Sequence, residues 1–167
     1  MYDHIMPLNP DDLRHAMRQW ATGVTVVTAQ SAGVRHGMTV SSFTSLSLEP
    51  PLVLVSLEQT AKTYRLVQEA RHFGVTVLSQ EQVEISNRFA GRIPDGEDRF
   101  AGLESFSMIS GAPLLQGGLA WFDCVVIATY PAGNHTVFIG EVLAAQTGDP
   151  ASPLLYYDRD YRNLEKK

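Results

Sequence analysis

The chain has 167 residues, of which 44% are hydrophobic and 19% charged, and its formal net charge is -5. This is the size of one domain with apolar surface enough for a single core, which excludes wholesale disorder; the negative balance lacks the basic field that phosphate backbones require, which removes nucleic acid as an expected partner. Cys124 is the one cysteine, so an internal disulfide framework and a cysteine-rich zinc site are excluded and a reducing, cytoplasmic compartment is expected.

Met1 to Pro10 shows no basic stretch leading into an apolar one, and no run approaches the ~18 residues of a membrane helix, so neither export nor membrane insertion is expected. Asn9-Pro10-Asp11-Asp12 reads as a helix start, with Asn9 as cap and Pro10 at the first helical position. Leu13, Ala16, Met17 and Trp20 follow at helical spacing and predict a core-facing side, with Gly23 as the stop. Val24 to Ala29 and, after Pro51, Leu52 to Leu57 read as strands. Between them, His36 to Leu48 is rich in small polar residues suited to backbone and hydroxyl contacts with a ligand.

Thr60 is the expected cap of a second helix that Gly74 ends, and Phe73 to Leu78 the next strand. Ser79 and Gln82 form a capping box for a third helix with Val83, Ser86, Phe89 and Ala90 on one side and Gly91 as the stop. The charged stretch Gly91 to Glu104 reads as an exposed loop, either simply solvated or covering a site. Leu119 to Tyr130 and Thr136 to Ala145 are long strands joined as a hairpin through Pro131 to His135. The regular alternation of helix and strand that parallel crossovers require is missing. A mainly β, antiparallel barrel with peripheral helices therefore follows, as a single domain over residues 1–167.

No dinucleotide fingerprint, phosphate-binding loop or nucleophile elbow is present, and the five histidines lack the spacing that aims two rings at one metal. Cys124, in an apolar strand, reads as packing, and Asp123 beside it needs a partner if it points inward. The most informative stretch is Gly37-Met38-Thr39-Val40-Ser41-Ser42-Phe43-Thr44-Ser45-Leu46-Ser47-Leu48-Glu49-Pro50-Pro51-Leu52-Val53. Preceded by Gly23-Val24-Thr25-Val26-Val27-Thr28 and followed by Phe73 to Ser79, Arg88-Phe89-Ala90 and Asn134-His135-Thr136-Val137-Phe138-Ile139-Gly140-Glu141-Val142, it resembles the flavin reductase-like family.

The resemblance implies a Greek-key split β-barrel that dimerises, with flavin in a cleft at the subunit boundary, and hydride transfer from NADH or NADPH to FMN or FAD for a partner monooxygenase. By likeness Thr39, Val40, Ser41 and Ser42 fall on the flavin-binding stretch, Ser56, Leu57 and Thr63 on further flavin contacts, and Arg88 on a phosphate-pairing position. His135 falls beside the nicotinamide, although a hairpin-tip role is its plainer reading, and Tyr156, Tyr157, Arg159 and Tyr161 fall on a second nicotinamide-side segment, although they could equally anchor a tail. Thr76, Ala61 and Asn134 depart from the family's usual residues. The competing readings are a flavin carrier or sensor without turnover, and a flavoenzyme acting on its own substrate.

Overall fold

The computed structural model describes residues 8–93 and 96–164. Helix α1 spans Pro10–Met17; β1 is Thr22–Gly23, β2 Thr25–Ser31, β3 Val34–Val40, β4 Thr44–Leu48 and β5 Pro51–Glu58. Helix α2, Lys62–Ala70, leads to β6, His72–Val77, and a short 3-10 turn at Gln80–Gln82 opens α3, Val83–Phe89. The small strands β7, Ser105–Phe106, and β8, Leu114–Leu115, precede the long hairpin of β9, Ala120–Ala132, and β10, His135–Thr147; β11, Leu155–Tyr157, and β12, Asp160–Arg162, end the described chain.

Seven strands form one antiparallel sheet in the order β3-β2-β6-β9-β10-β5-β4. Its edge strands β3 and β4 are consecutive in the chain, and the three residues between them are pinned to β5: the Ser42 hydroxyl donates to Ser56 O at 2.9 Å and accepts from Ser56 N at 3.0 Å. The interior holds Val27, Val55, Leu57, Phe73, Val75 and Phe138, with Leu66 and Val67 of α2 closing one side. A second cluster lies on the other face of β2, where Val26 meets Phe89 of α3, Phe100, Leu115 and Leu154. Strand β2 is thus covered on both faces, so Val24 to Ala29 is a continuous buried run with no polar alternation.

The small polar stretch His36 to Leu48 is mostly strand, because β2 and β5 supply its ladder partners; only Ser41 to Phe43 lie outside β3 and β4. Helix α1 ends at Met17, well before Gly23, and Leu13, Met17 and Trp20 are exposed where a core-facing side was expected. Helix α2 is capped by Ala61, without a side-chain bond, and not by Thr60. It ends at Arg71, held left-handed at φ 57° by its guanidinium on Val126 O at 3.2 Å and by Val126 N donating to Arg71 O at 2.9 Å. Gly74 lies inside β6, where a Cβ would stand 2.8 Å from Leu114 and Thr28. The capping-box expectation holds: Ser79 N donates to Gln82 Oε1 at 3.0 Å.

Among its described residues, the Gly91 to Glu104 stretch is a strap and not a free loop. Phe100 is buried edge-on to Phe89, with ring centroids 5.1 Å apart, and Arg99 Nη1 donates to Phe89 O at 2.7 Å and Gly37 O at 3.0 Å. Gly37 must lack a side chain here, since a Cβ would stand 2.8 Å from the Phe89 ring. Asp123 does point inward and has its partner: Ser110 N donates to it at 2.8 Å, and the Ser110 hydroxyl donates to its other oxygen. Cys124 is core, its thiol pushed up to about 12 by burial and by the neighbouring Asp123 charge, which suits packing and not nucleophilic chemistry.

Candidate functional site

A groove follows β3 where α2 and α3 flank it. One stretch, about 160 Å³, is lined by Val24, Thr39, Val40, Ser41, Ser86, Ala90, Arg92, Tyr156 and Tyr161. A second, about 320 Å³, shares Thr39 and Ala90 with the first and adds His36, Met38, Ala61, Lys62, Thr63, Phe89 and Arg99. The first is walled mainly by aliphatic, hydroxyl and tyrosyl side chains, with Arg92 as its one cation; the second carries Lys62 and Arg99. Strand pleating and the α3 contact fix this shape: Thr39 Oγ1 donates to Ser86 O at 2.7 Å, and the Tyr161 hydroxyl meets the Ser86 hydroxyl at 2.8 Å and Asn87 Oδ1 at 3.0 Å.

Electrostatics distinguish the cationic end. His36 Nδ1 lies 2.8 Å from Thr63 Oγ1, and burial, then the positive charges of Arg99 and Lys62, lower the imidazole from 6.5 to about 4, against a smaller opposing pull from Asp98. His36 is therefore neutral at pH 7 and bonds Thr63 without adding charge. The same positive field, together with the α2 amides that Ala61 leaves without a side-chain cap, suits an anionic phosphate. An aromatic, apolar stretch beside such a cationic one fits the two halves of a flavin nucleotide, ring and phosphate.

Within one chain the residues singled out from the sequence fall into separate sets. Thr39, Val40, Ser41 and Tyr156 line the first stretch and Thr63 the second. Tyr157 and Arg159 line, with Tyr156, a neighbouring cleft against Arg14, Met17, Arg18 and Trp20 of the α1 region, and the Tyr157 hydroxyl donates to Gln19 at 2.9 Å. Ser56 and His135 lie elsewhere. Val55, Leu57, Thr136 and Phe138 point into the barrel, so by strand alternation Ser56 and His135 point out, on the external face of β5 and β10. Asn134 Oδ1 lies 2.9 Å from His135 Nδ1.

Two of the residues singled out have side chains away from the groove's lining. Leu57 is fully buried in the barrel and offers no side-chain atom to a ligand. Arg88 lines neither stretch; its Nη1 donates to Ala101 O at 2.6 Å and so secures the strap. The cations at the groove are instead Lys62, Arg92 and Arg99. They come from the start of α2 and from the strap, and no local motif in the sequence announces that convergence.

The mainly β barrel carries, along β3, an aromatic and apolar stretch beside a cationic one. A family model described as a flavin reductase like domain matches residues 17–165. The NADH-dependent flavin reductase of a Rhodococcus species is 38% identical over 161 residues, covering 95% of this chain and 88% of that protein. The actinorhodin polyketide dimerase of Streptomyces coelicolor is 39% identical over 153 residues, covering 91% and 85%. Of solved structures, the flavin reductase PheA2 aligns with a TM-score of 0.86 at 36% identity over 95% of this chain and all of that one. The NADH:FAD oxidoreductase SgcE6 of Streptomyces globisporus aligns with a TM-score of 0.88 at 34% identity over 97% and 99%. The chain belongs to the flavin reductase-like family, and it is an oxidoreductase of the flavin reductase class.

Proposed function

We propose that this protein is an NAD(P)H:flavin oxidoreductase, taking FMN or FAD with NADH or NADPH, and that it supplies reduced flavin to a partner monooxygenase. The observation that carries this reading is the groove along β3, apolar and aromatic at Val40 and Tyr156 and cationic at Lys62 and Arg99. When bound, the flavin supplies the redox chemistry, accepting hydride from the nicotinamide. The chain's own residues bind and align. Val24, Val40 and Tyr156 exclude water from the ring, the Ser41 hydroxyl and the Thr39 and Val40 main chain hold its polar edge, and Lys62, Arg92 and Arg99 neutralise phosphate charge.

The active form is a homodimer. Leu52, Leu54, Val137 and Ile139 share the external face of β5 and β10 with Ser56 and His135, and Tyr130, opposite Val137, extends it as exposed apolar surface. So much contiguous apolar area calls for a cover, and a second copy laid on it would bring the Ser56 and His135 side into a shared cleft. Ser42, bonded to Ser56, ties the connection between β3 and β4 to that side. Sedimentation is expected to give a dimer; a monomer with full activity contradicts the shared cleft.

In this assembly His135 orients the nicotinamide. His135→Ala is expected to lower kcat/KM for NADH and NADPH about tenfold or more while the flavin Kd stays near wild type. Steady-state kinetics at saturating flavin, with a melt to confirm folding, checks it; unchanged kcat/KM in a stable variant removes His135 from the site. A second reading is favoured by the relative called a polyketide dimerase: a flavin that stays bound and acts on the protein's own substrate. Retention of flavin after reduction separates the two.

A further inference from the structure

Helix α3 ends in a turn that its backbone closes by itself. Gly91 takes the left-handed conformation at φ 81°, Gly91 N donates to Arg88 O at 3.2 Å, and Arg92 N donates to Asn87 O at 3.0 Å. No side chain is needed for this stop. The Asn87 carboxamide nevertheless makes two bonds: its Oδ1 accepts from Arg92 Nη1 at 2.9 Å and from the Tyr161 hydroxyl at 3.0 Å. Arg92, at the start of the strap, and Tyr161, on β12, both line the first stretch of the groove, whereas Asn87 lines neither stretch.

The donors fix the chemistry of this junction. A guanidinium offers only N–H groups, so the atom facing Arg92 is the carboxamide oxygen and not its nitrogen. That oxygen cannot donate, so the Tyr161 proton goes to Asn87, and the Ser86 hydroxyl, 2.8 Å away, donates to the Tyr161 oxygen. Tyr161 in turn meets Tyr156 edge-on, with ring centroids 5.7 Å apart, and Tyr156 walls the same stretch. The preceding residue ties the junction to β3, since Ser86 O accepts from Thr39 Oγ1 at 2.7 Å. One carboxamide oxygen thus sets a cation and a pair of tyrosines relative to β3, although Tyr161 lies 74 residues further along the chain.

We propose that Asn87 is a positioning residue for the flavin site, holding Arg92 toward the ligand's phosphate and Tyr161, with Tyr156, along its ring. The proposal rests on the flavin reductase reading and deepens it by naming a residue that shapes the site without lining it. An arginine freed from Asn87 keeps its charge but loses its direction: Arg92 is exposed, so it spreads over many rotamers, and ordering it again on a ligand costs binding free energy. Tyr161 without this acceptor is left with Ser86 alone, so the tilt of the tyrosine pair is no longer fixed from two sides.

The test is a set of double-mutant cycles on the full-length protein, with Kd for FMN and for riboflavin read from flavin fluorescence and a melt recorded for each variant. Asn87→Leu removes the acceptor with little change in volume and is expected to weaken FMN about tenfold and riboflavin about threefold, the difference being the share of Arg92, since riboflavin has no phosphate. In an Arg92→Ala background the same substitution is expected to weaken both flavins about threefold, and in a Tyr161→Phe background to leave riboflavin unchanged, because each background has already lost a group through which Asn87 acts. A packing role predicts instead losses that add in every background and follow the melt. Asn87→Ala, which adds no bulk, carries the same cycles if Asn87→Leu does not fold. Full, additive losses in both backgrounds, or wild-type affinities in a stable Asn87 variant, overturn the assignment, and a series in which neither variant folds makes Asn87 structural and overturns it as well. A wild type that binds neither flavin overturns the flavin reductase reading, and the proposal with it, an outcome distinct from the others.

Discussion

Replacing Lys62 with glutamate is expected to raise the Kd for FMN about thirtyfold while leaving that for riboflavin unchanged. Lys62 opens α2 beside the uncapped amides, so the substitution removes a cation and sets a carboxylate against the ligand's phosphate. Loss of one charge-assisted hydrogen bond corresponds to about 2 kcal/mol, and hence to that factor. Lys62 is exposed and contributes nothing to the core, so the melt should not move. Riboflavin, which lacks the phosphate, is the internal control. Parallel weakening of FMN and riboflavin would place Lys62 at the ring, and no weakening of either would remove it from the site.

Ser42→Ala is expected to destabilise the fold, whereas Ser41→Ala is expected to weaken flavin binding alone. The two neighbours look interchangeable in the sequence, and the resemblance assigns both to flavin. In the structure the Ser42 hydroxyl satisfies both the N–H and the C=O of Ser56 and pins the connection between β3 and β4 to β5. Its removal strands two half-buried backbone groups, at a cost of about 2 kcal/mol. For a domain of this length that lowers Tm by about 4 to 8 °C. Ser41 is exposed and lines the first groove stretch, so Ser41→Ala should melt within about 1 °C of wild type, as an ordinary surface change does. Equal melting temperatures for the two variants would contradict the structural role of Ser42.

The contrast between these serines shows what the sequence carries and what it does not. Local chemistry was legible where one short stretch decides the outcome. Asn9 caps α1, accepting from Asp11 N at 3.0 Å; Ser79 and Gln82 make their box; the long hairpin turns at Gly133 and Asn134. The antiparallel, mainly β architecture followed from those elements. Where two distant segments decide, the sequence pointed elsewhere. Gly74 looks like a helix stop, yet its bareness serves the approach of Leu114 and Thr28, while Arg71 takes the left-handed position because Val126 holds it there. The periodicity of Leu13 and Met17 reported an apolar side without reporting what covers it. The site divides in the same way. The Thr39 to Ser41 stretch was found because its residues are contiguous, whereas Lys62, Arg92 and Arg99 meet only through the packing of α2, α3 and the strap against β3.

The central claim, that the groove along β3 binds a flavin which the protein reduces with a nicotinamide and then releases, is tested most directly by anaerobic rapid mixing of the protein and flavin with NADH, followed by separation of protein from small molecules. The account predicts bleaching of flavin absorbance that depends on the protein, multiple turnovers when flavin is in excess, and reduced flavin recovered in the small-molecule fraction. Flavin that binds but is not bleached by NADH or NADPH would contradict it in favour of a carrier, and flavin that is reduced once and stays with the protein would contradict it in favour of an enzyme acting on its own substrate.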